Sequence, residues 1–517
     1  MGLLTGGAAP LTTSFLAASA LAAWKGDLTN LSKLASYSAA TVSGMFLVVL
    51  PAYRLSPFHG LYEYPGPLLH KISELPMLYY TLRGITHLKV RELHDKYGRT
   101  VQTGPNSVSF LSPASISTIY GSATALDKAS AYDIQHMDGA GLFFMKDKAT
   151  HARRRRIWNR SFSDNAIAGY HDEVVQCVEH LIRCLLKRTA DNGKVDLVKL
   201  LPQYSFDSLN SVFFSGHAFS PSLMDSDDPK RIVAQAAEFF AISESLTHIE
   251  PLFHMTMKIP GIGALLEFEK ISIRSAESWL RNGPSFADGI SHWFDTDPSQ
   301  PKLEAADLPI EAETLLIGGA DTIGGVSVSV VFQLLANPKW LAALRKELDE
   351  QFEGPPAGHQ LRDLDDLPII NAVLQESLRL GAPLPGLPRL VPESGTVIDG
   401  NFLPAGTFVS VPIGAYHVDE EYFPDPHVFD PSRWIDEGRF APSKHLLLAF
   451  SAGPFNCVGQ KLVFMQLRIM LAMVLTQLDI TPTAGFDAAK FWAGVRNRRT
   501  TTFTEPLWVK VTPRARK

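Results

Sequence analysis

The chain has 517 residues, 53 acidic against 48 basic side chains, a formal net charge of -5 and 45% hydrophobic residues. That apolar share excludes disorder as the dominant state, and a pI near 6.4 excludes a general nucleic-acid binder, whose electrostatic footprint is basic. Cys177, Cys184 and Cys457 are too few, and odd in number, for a disulfide framework; no Cys/His cluster offers a zinc site, and sparse cysteine fits a reducing compartment.

Taken in chain order, the first feature is apolar. Met1 to Trp24 carries no charged side chain, and Leu34 to Tyr53 is a second uncharged stretch between Lys33 and Arg54. About 20 helical residues cross the roughly 30 Å hydrocarbon core of a bilayer, so the second stretch reads as a transmembrane helix. The first reads as a second span, an interfacial segment or a cleaved signal peptide, although no basic residue precedes its apolar part. Residues 1–55 are therefore expected to be a membrane anchor, stronger at 34–53. Asn30-Leu31-Ser32 is a glycosylation sequon, usable only in a lumenal loop. Ser56-Pro57 and Pro65-Gly66-Pro67 make 56–67 a stiff hinge, because proline fixes φ and forbids helix continuation.

Residues 68–517 read as helix after helix. Asn337-Pro338 followed by Trp340, Leu341, Leu344, Leu348 and Phe352 predicts a helix with an Asn cap and proline in its first turn. Another opens at Pro368, with Ile370, Val373, Leu374 and Leu378 on one face. Strand signals come late: Asp399-Gly400 predicts a hairpin, and Thr407–Val411 a further strand. The expected class is mainly α with a small β subdomain.

Four motifs carry chemistry. In Phe450-Ser-Ala-Gly453-Pro-Phe455-Asn-Cys457-Val-Gly459, two glycines bracket a cysteine, and Leu462, Met465, Ile469 and Met473 place a helix directly after it. Free amides at a helix N-terminus favour a thiolate, and a thiolate on a glycine-bounded loop suits haem-iron ligation. A second run, Gly318-Gly319-Ala-Asp321-Thr322-Ile323-Gly324-Gly325, puts four glycines in one apolar helix, each costing about 1 kcal/mol relative to Ala. Either close helix packing or a site explains them. Thr322 can hydrogen-bond the carbonyl of Gly318 and open the helix for a small molecule. Glu376 and Arg379 sit at i and i+3, a pair that alone is usually a solvated bridge worth under about 1 kcal/mol. Arg153 to Arg156, with Arg160, form a dense basic run.

The cysteine segment resembles the haem-binding loop of the cytochrome P-450 family, FxxGxRxCxG. Phe450, Gly453, Cys457 and Gly459 match, whereas Phe455 stands at the family's arginine. The glycine run is similar to the family's oxygen-activating helix, and Glu376-Ser-Leu-Arg379 with Phe429-Asp-Pro-Ser-Arg433-Trp to its ExxR and PERF-type segments. The resemblance spans about residues 60–517. It implies a cytochrome P-450 fold behind an N-terminal anchor, with haem b (iron protoporphyrin IX) as cofactor and Cys457 as axial ligand. Asp321 would then organise proton delivery, Thr322 stabilise dioxygen, and Glu376, Arg379 and Arg433 interlock beneath the haem. Counting back from Phe162 puts His151 at the family's usual Trp/His haem-binding position and Arg155 at its propionate-binding arginine, with Arg389 a second propionate candidate.

The same resemblance implies a monooxygenase fed by NADPH-cytochrome P-450 reductase, with cytochrome b5 as an optional donor, and the other arginines of the run offer a docking face. It implies an endoplasmic reticulum membrane protein with its catalytic domain facing the cytosol. The hinge and the cysteine loop resemble fungal members of specialised metabolism. Phe239, Phe240, Leu384 and Leu387 suit a lipophilic substrate, a terpenoid or polyketide ahead of a fatty acid or xenobiotic. Competing readings are a reductase-independent haem-thiolate isomerase or dehydratase, and a haem sensor or carrier; the Asp321-Thr322 pair argues against both.

Overall fold

A computed structural model of the chain describes residues 44–515 and isolated positions before them, without short stretches inside 122–139, 217–240, 250–262, 295–298, 355–363 and 436–445 and without residue 285. The first described segment, Met45–Val49 and Leu50–Arg54, is helical and leaves Leu47, Val48 and Val49 exposed. The rest of the expected anchor, Asn30, Phe239 and Phe240 lie outside the described residues. Among the described residues one helix, Ala305–Ala336, is long and apolar enough to cross a membrane, and two-thirds of its most apolar 18-residue window is buried, as befits a core helix.

Strands β1 (Thr100–Gly104), β2 (Ser107–Phe110) and β3 (Asp127–Lys128) precede the main helices. These are α1 (Lys148–Ser161), α2 (His171–Asn192), α3 (Leu197–Phe214, after β4, Val195–Asp196), α4 (Gly263–Asn282), α5 (Leu308–Ala336), α6 (Pro338–Gln351) and α7 (Pro368–Leu380). Then come β5 (Arg389–Leu390), β6 (Thr396–Ile398), β7 (Asn401–Leu403), β8 (Phe408–Ser410), α8 (Gln460–Gln477), β9 (Leu478–Pro482), β10 (Val495–Asn497), β11 (Thr501–Phe503) and β12 (Trp508–Pro513). The largest sheet has the order β1-β2-β8-β5-β3, with β2 and β8 parallel. The expected hairpin is β6–β7. Asp399 and Gly400 both take left-handed φ, 51° and 77°, as a two-residue turn matching strand twist requires.

The helices open at the expected prolines, but Asn337 is not a side-chain cap. Its amide instead donates to the carbonyl of Gln333, 2.8 Å away, and so closes α5 rather than opening α6.

Helix α5 runs through the core against α3 and α4, with Leu316, Ile323, Val328 and Val330 buried. Its glycines divide by task. A Cβ on Gly319 would meet Leu209 at 2.5 Å and one on Gly324 the Pro202 backbone at 2.7 Å, so these two permit close approach of α3. A Cβ on Gly318 meets nothing within 4 Å. Gly318→Ala should therefore stabilise the fold by about 1 kcal/mol through helix propensity alone. Gly324→Ala should destabilise it, because overpacking costs about 1–3 kcal/mol. Denaturant unfolding of the two variants is expected to move the midpoint in opposite directions.

Candidate active site

The cysteine loop is shaped by its own backbone. Ser451 and Gly453 have φ of 59° and 68°, and the amide of Cys457 donates to the carbonyl of Phe450 at 2.9 Å. Gly453 is required twice over: its φ is left-handed, and a Cβ there would collide with the Tyr120 carbonyl at 1.7 Å. Gly459 has φ of -82°, and a Cβ would make only ordinary contacts, 3.7 Å from Phe162 and 3.8 Å from the Cys457 sulfur. The Phe450 ring packs against Phe464 at 5.6 Å.

Cys457 has exposed surface, and that surface lines the cavity. Burial pushes its thiol up, and the opposing pull of the Gly459 and Gln460 amides and of Arg155 does not cancel this. The helix terminus therefore acts in the expected direction without making a thiolate by itself; a coordinated metal deprotonates such a thiol outright.

Across the cavity lies α5. Thr322 Oγ1 donates to the Gly318 carbonyl at 2.7 Å, the predicted bond. Asp321 also faces the cavity and accepts a hydrogen bond from the hydroxyl of Thr500; burial raises its carboxyl above the usual range. The sequence showed no local signal for Thr500. Phe143, Phe206, Phe213, Leu384 and Leu387 supply apolar wall.

The rim is cationic. His151, Arg155 and Arg389 meet there as expected, and so does Lys128, which sequence reasoning missed. Arg155 forks onto Asn456, reaching its carbonyl at 2.6 Å and its side-chain oxygen at 2.8 Å. Arg389 is buried and donates to the Tyr132 hydroxyl at 2.8 Å, while its buried Nε finds no partner among the described residues. Burial, reinforced by Lys128, Arg155 and Arg389, pushes the His151 imidazole down to about 3, so it is neutral. Among the described residues no carboxylate pairs with Lys128, Arg155 or Arg389. A sulfur on one wall and uncompensated cations on the rim suit an iron macrocycle bearing carboxylates.

The remaining arginines of the basic run do not form one face. Arg154 turns inward, 2.8 Å from Asp307 and 2.9 Å from the buried Glu311, whose carboxyl burial raises to about 7. Arg160 donates to the Trp293 carbonyl, leaving Arg153 and Arg156 exposed.

Glu376, Arg379 and Arg433 lie outside the cavity, fully buried and interlocked. Arg379 grips both Glu376 oxygens at 2.7 and 2.8 Å, Arg433 reaches one at 3.2 Å and Trp434 donates to the other at 2.9 Å. His417 extends the network. Its Nε2 accepts from the Leu448 amide at 2.9 Å, so its Nδ1 is the nitrogen that donates to the Arg379 carbonyl at 3.0 Å. Buried beside Arg379, the imidazole is driven down to about 3 and stays neutral. The network thus ends two residues before Phe450, where the cysteine loop starts.

A mainly helical fold with a cysteine facing a glycine-rich core helix across an apolar cavity defines a class of oxidative catalyst. The sequence profile described as "Cytochrome P450" matches residues 65–490. Cytochrome P450 monooxygenase FCK2 of Fusarium pseudograminearum (strain CS3096) is 27% identical, over 94% of this chain and 87% of its own. Trichothecene C-15 hydroxylase of Fusarium sporotrichioides is 28% identical, over 85% and 91%. Tryprostatin B 6-hydroxylase of Neosartorya fischeri is 27% identical, over 87% and 81%. The crystal structure of a cytochrome P450 (CYP102L1) superposes with a TM-score of 0.69 at 17% identity, covering 83% of this chain and 94% of that one. The chain belongs to the cytochrome P-450 monooxygenase family.

Proposed function

We propose that this chain uses haem b to hydroxylate, or otherwise oxidise, a lipophilic small molecule of fungal specialised metabolism, a terpenoid or polyketide in class. The observation that carries this is the single cavity bounded by Cys457, by Gly318 to Thr322 of α5 and by the cations Lys128, Arg155 and Arg389. When bound, the haem supplies the oxygen activation and the oxidation of substrate.

Each residue then has a task. Cys457 would hold the haem iron through its sulfur, and the Gly459 and Gln460 amides hydrogen-bond that sulfur. Arg155 and Arg389 would hold the haem carboxylates. Gly318 leaves space on α5, and Thr322 offers a hydroxyl beside it. Asp321, with its raised carboxyl and its bond from Thr500, holds and releases protons at its Oδ atoms. The apolar walls orient the substrate and exclude water. Exposed Arg153 and Arg156 on α1 suit contact with an acidic NADPH-cytochrome P-450 reductase, cytochrome b5 being an alternative donor. Residues 1–55 anchor the protein in the endoplasmic reticulum membrane, with the catalytic domain, 68–517, in the cytosol beyond the 56–67 hinge.

The test is expression with a fungal reductase in a host supplying candidate precursors, with products read by mass spectrometry. Substrate-dependent consumption of NADPH and oxygen is expected; product formed without either would favour the isomerase or dehydratase reading. Proton delivery is checked separately. Asp321→Asn should lower kcat by about 10²-fold, the scale of a lost acid–base group. Thr322→Ala should lower product formed per NADPH consumed. Unchanged coupling in Thr322→Ala would remove Thr322 from oxygen activation.

A further inference from the structure

Lys128 is a buried ammonium, and among the described residues no carboxylate pairs with it. It sits at the end of β3, 5% exposed, and donates to the carbonyls of Phe143 at 2.7 Å and Leu142 at 3.4 Å. Around it lie the rings of Phe455, Tyr132 and Phe143, with centroids 4.8, 5.3 and 5.8 Å away. The charged groups facing it, Arg155 from α1 and Arg389 from β5, carry the same sign and, with burial, push its ammonium down to about 7. Burying an ion costs several kcal/mol, and only an opposite charge with good hydrogen bonds offsets that. Carbonyls and ring faces provide part of this; they leave three like charges gathered at one end of a cavity.

Phe455 stands in the middle of them. Its ring is 4.8 Å from the Lys128 ammonium, 5.4 Å from the Arg389 guanidinium and 4.6 Å from the His151 ring. An arginine there would add a fourth cation to three. The phenyl ring instead offers its electron-rich face to two of them, a contact worth about 0.5–2 kcal/mol each.

We propose that Lys128 replaces the missing loop arginine and binds a haem carboxylate, with Phe455 as the ring that positions it. The inference rests on the reading of this cavity as a haem site. Lys128 and position 455 are then one unit in which the cation has moved from the cysteine loop to the end of β3.

The experiment uses full-length, haem-loaded protein in detergent and follows transfer of haem to excess apomyoglobin by absorbance. Lys128→Gln keeps an amide donor for the Phe143 carbonyl and removes only the charge. It should lose haem about tenfold faster, the equivalent of about 1.4 kcal/mol. Adding Phe455→Arg to Lys128→Gln should bring the rate back to within about threefold of wild type, since the cation returns by the other route. A purely structural lysine would not be rescued from position 455. Unchanged haem loss in Lys128→Gln, or no recovery in the double variant, overturns the inference while the wild-type carbon-monoxide difference band keeps the haem site intact. Absence of that band in the wild type would instead overturn the haem-site reading, and this inference with it.

Discussion

Glu376→Ala should cost about 3–5 kcal/mol of stability and sharply reduce the yield of folded protein. The magnitude follows from what would be left behind. Glu376 is the carboxylate that answers Arg379 and Arg433, both 1% exposed or less at the side chain. Removing one partner of a buried ion network leaves the other charges uncompensated, which is the expensive case. It also removes the acceptors for the Trp434 indole and the Asp430 amide. Against a net folding stability of about 5–15 kcal/mol, such a loss is a large fraction. A discriminating comparison is the triple replacement Glu376→Leu, Arg379→Met, Arg433→Met. Swapping a whole buried network for apolar side chains is often close to neutral, so the triple variant should melt higher than Glu376→Ala. If Glu376→Ala unfolds within about 1 kcal/mol of wild type, the network is not what holds this region together.

That network also marks how far sequence could be read. Glu376 and Arg379 at i and i+3 look like a surface pair, and only the resemblance placed them inside. Burial depends on what α7 packs against, which no spacing reveals. The Thr322–Gly318 bond, by contrast, was legible, because it is local to one helix. The glycine run was legible as a choice between packing and site; both hold, since Gly319 and Gly324 admit α3 while Gly318 opens toward the cavity. His417 and Lys128 escaped notice for a shared reason. Each acts on residues far away in sequence, His417 on Arg379 and Leu448, Lys128 on Phe455 and Arg389, and neither has a local pattern. The basic run misled in the other direction. A block of like charge reads as one face, but helical rotation turned Arg154 to Glu311 and Arg155 to Asn456.

Cys457→Ala should show the opposite signature to Glu376→Ala: chemistry lost and fold kept. The Cys457 side chain lines the cavity, so truncating it removes atoms next to open space, and the haem-free protein should unfold within about 0.5 kcal/mol of wild type. The sulfur proposed to hold the haem iron would be gone. The carbon-monoxide difference band of a haem-thiolate should vanish, and product formation with reductase should fall to the level of reductase alone. A thiolate would donate electron density to a bound haem iron, which a neutral side chain cannot do. Cys457→His sharpens the point, because it offers a neutral nitrogen ligand in the same loop. Haem should still bind, with a shifted band and no turnover. A thiolate-type band persisting in Cys457→Ala would mean that the ligand is another group, and Cys177 and Cys184 are poor substitutes: burial pushes both thiols up, Cys177 to about 12, and neither lines the cavity.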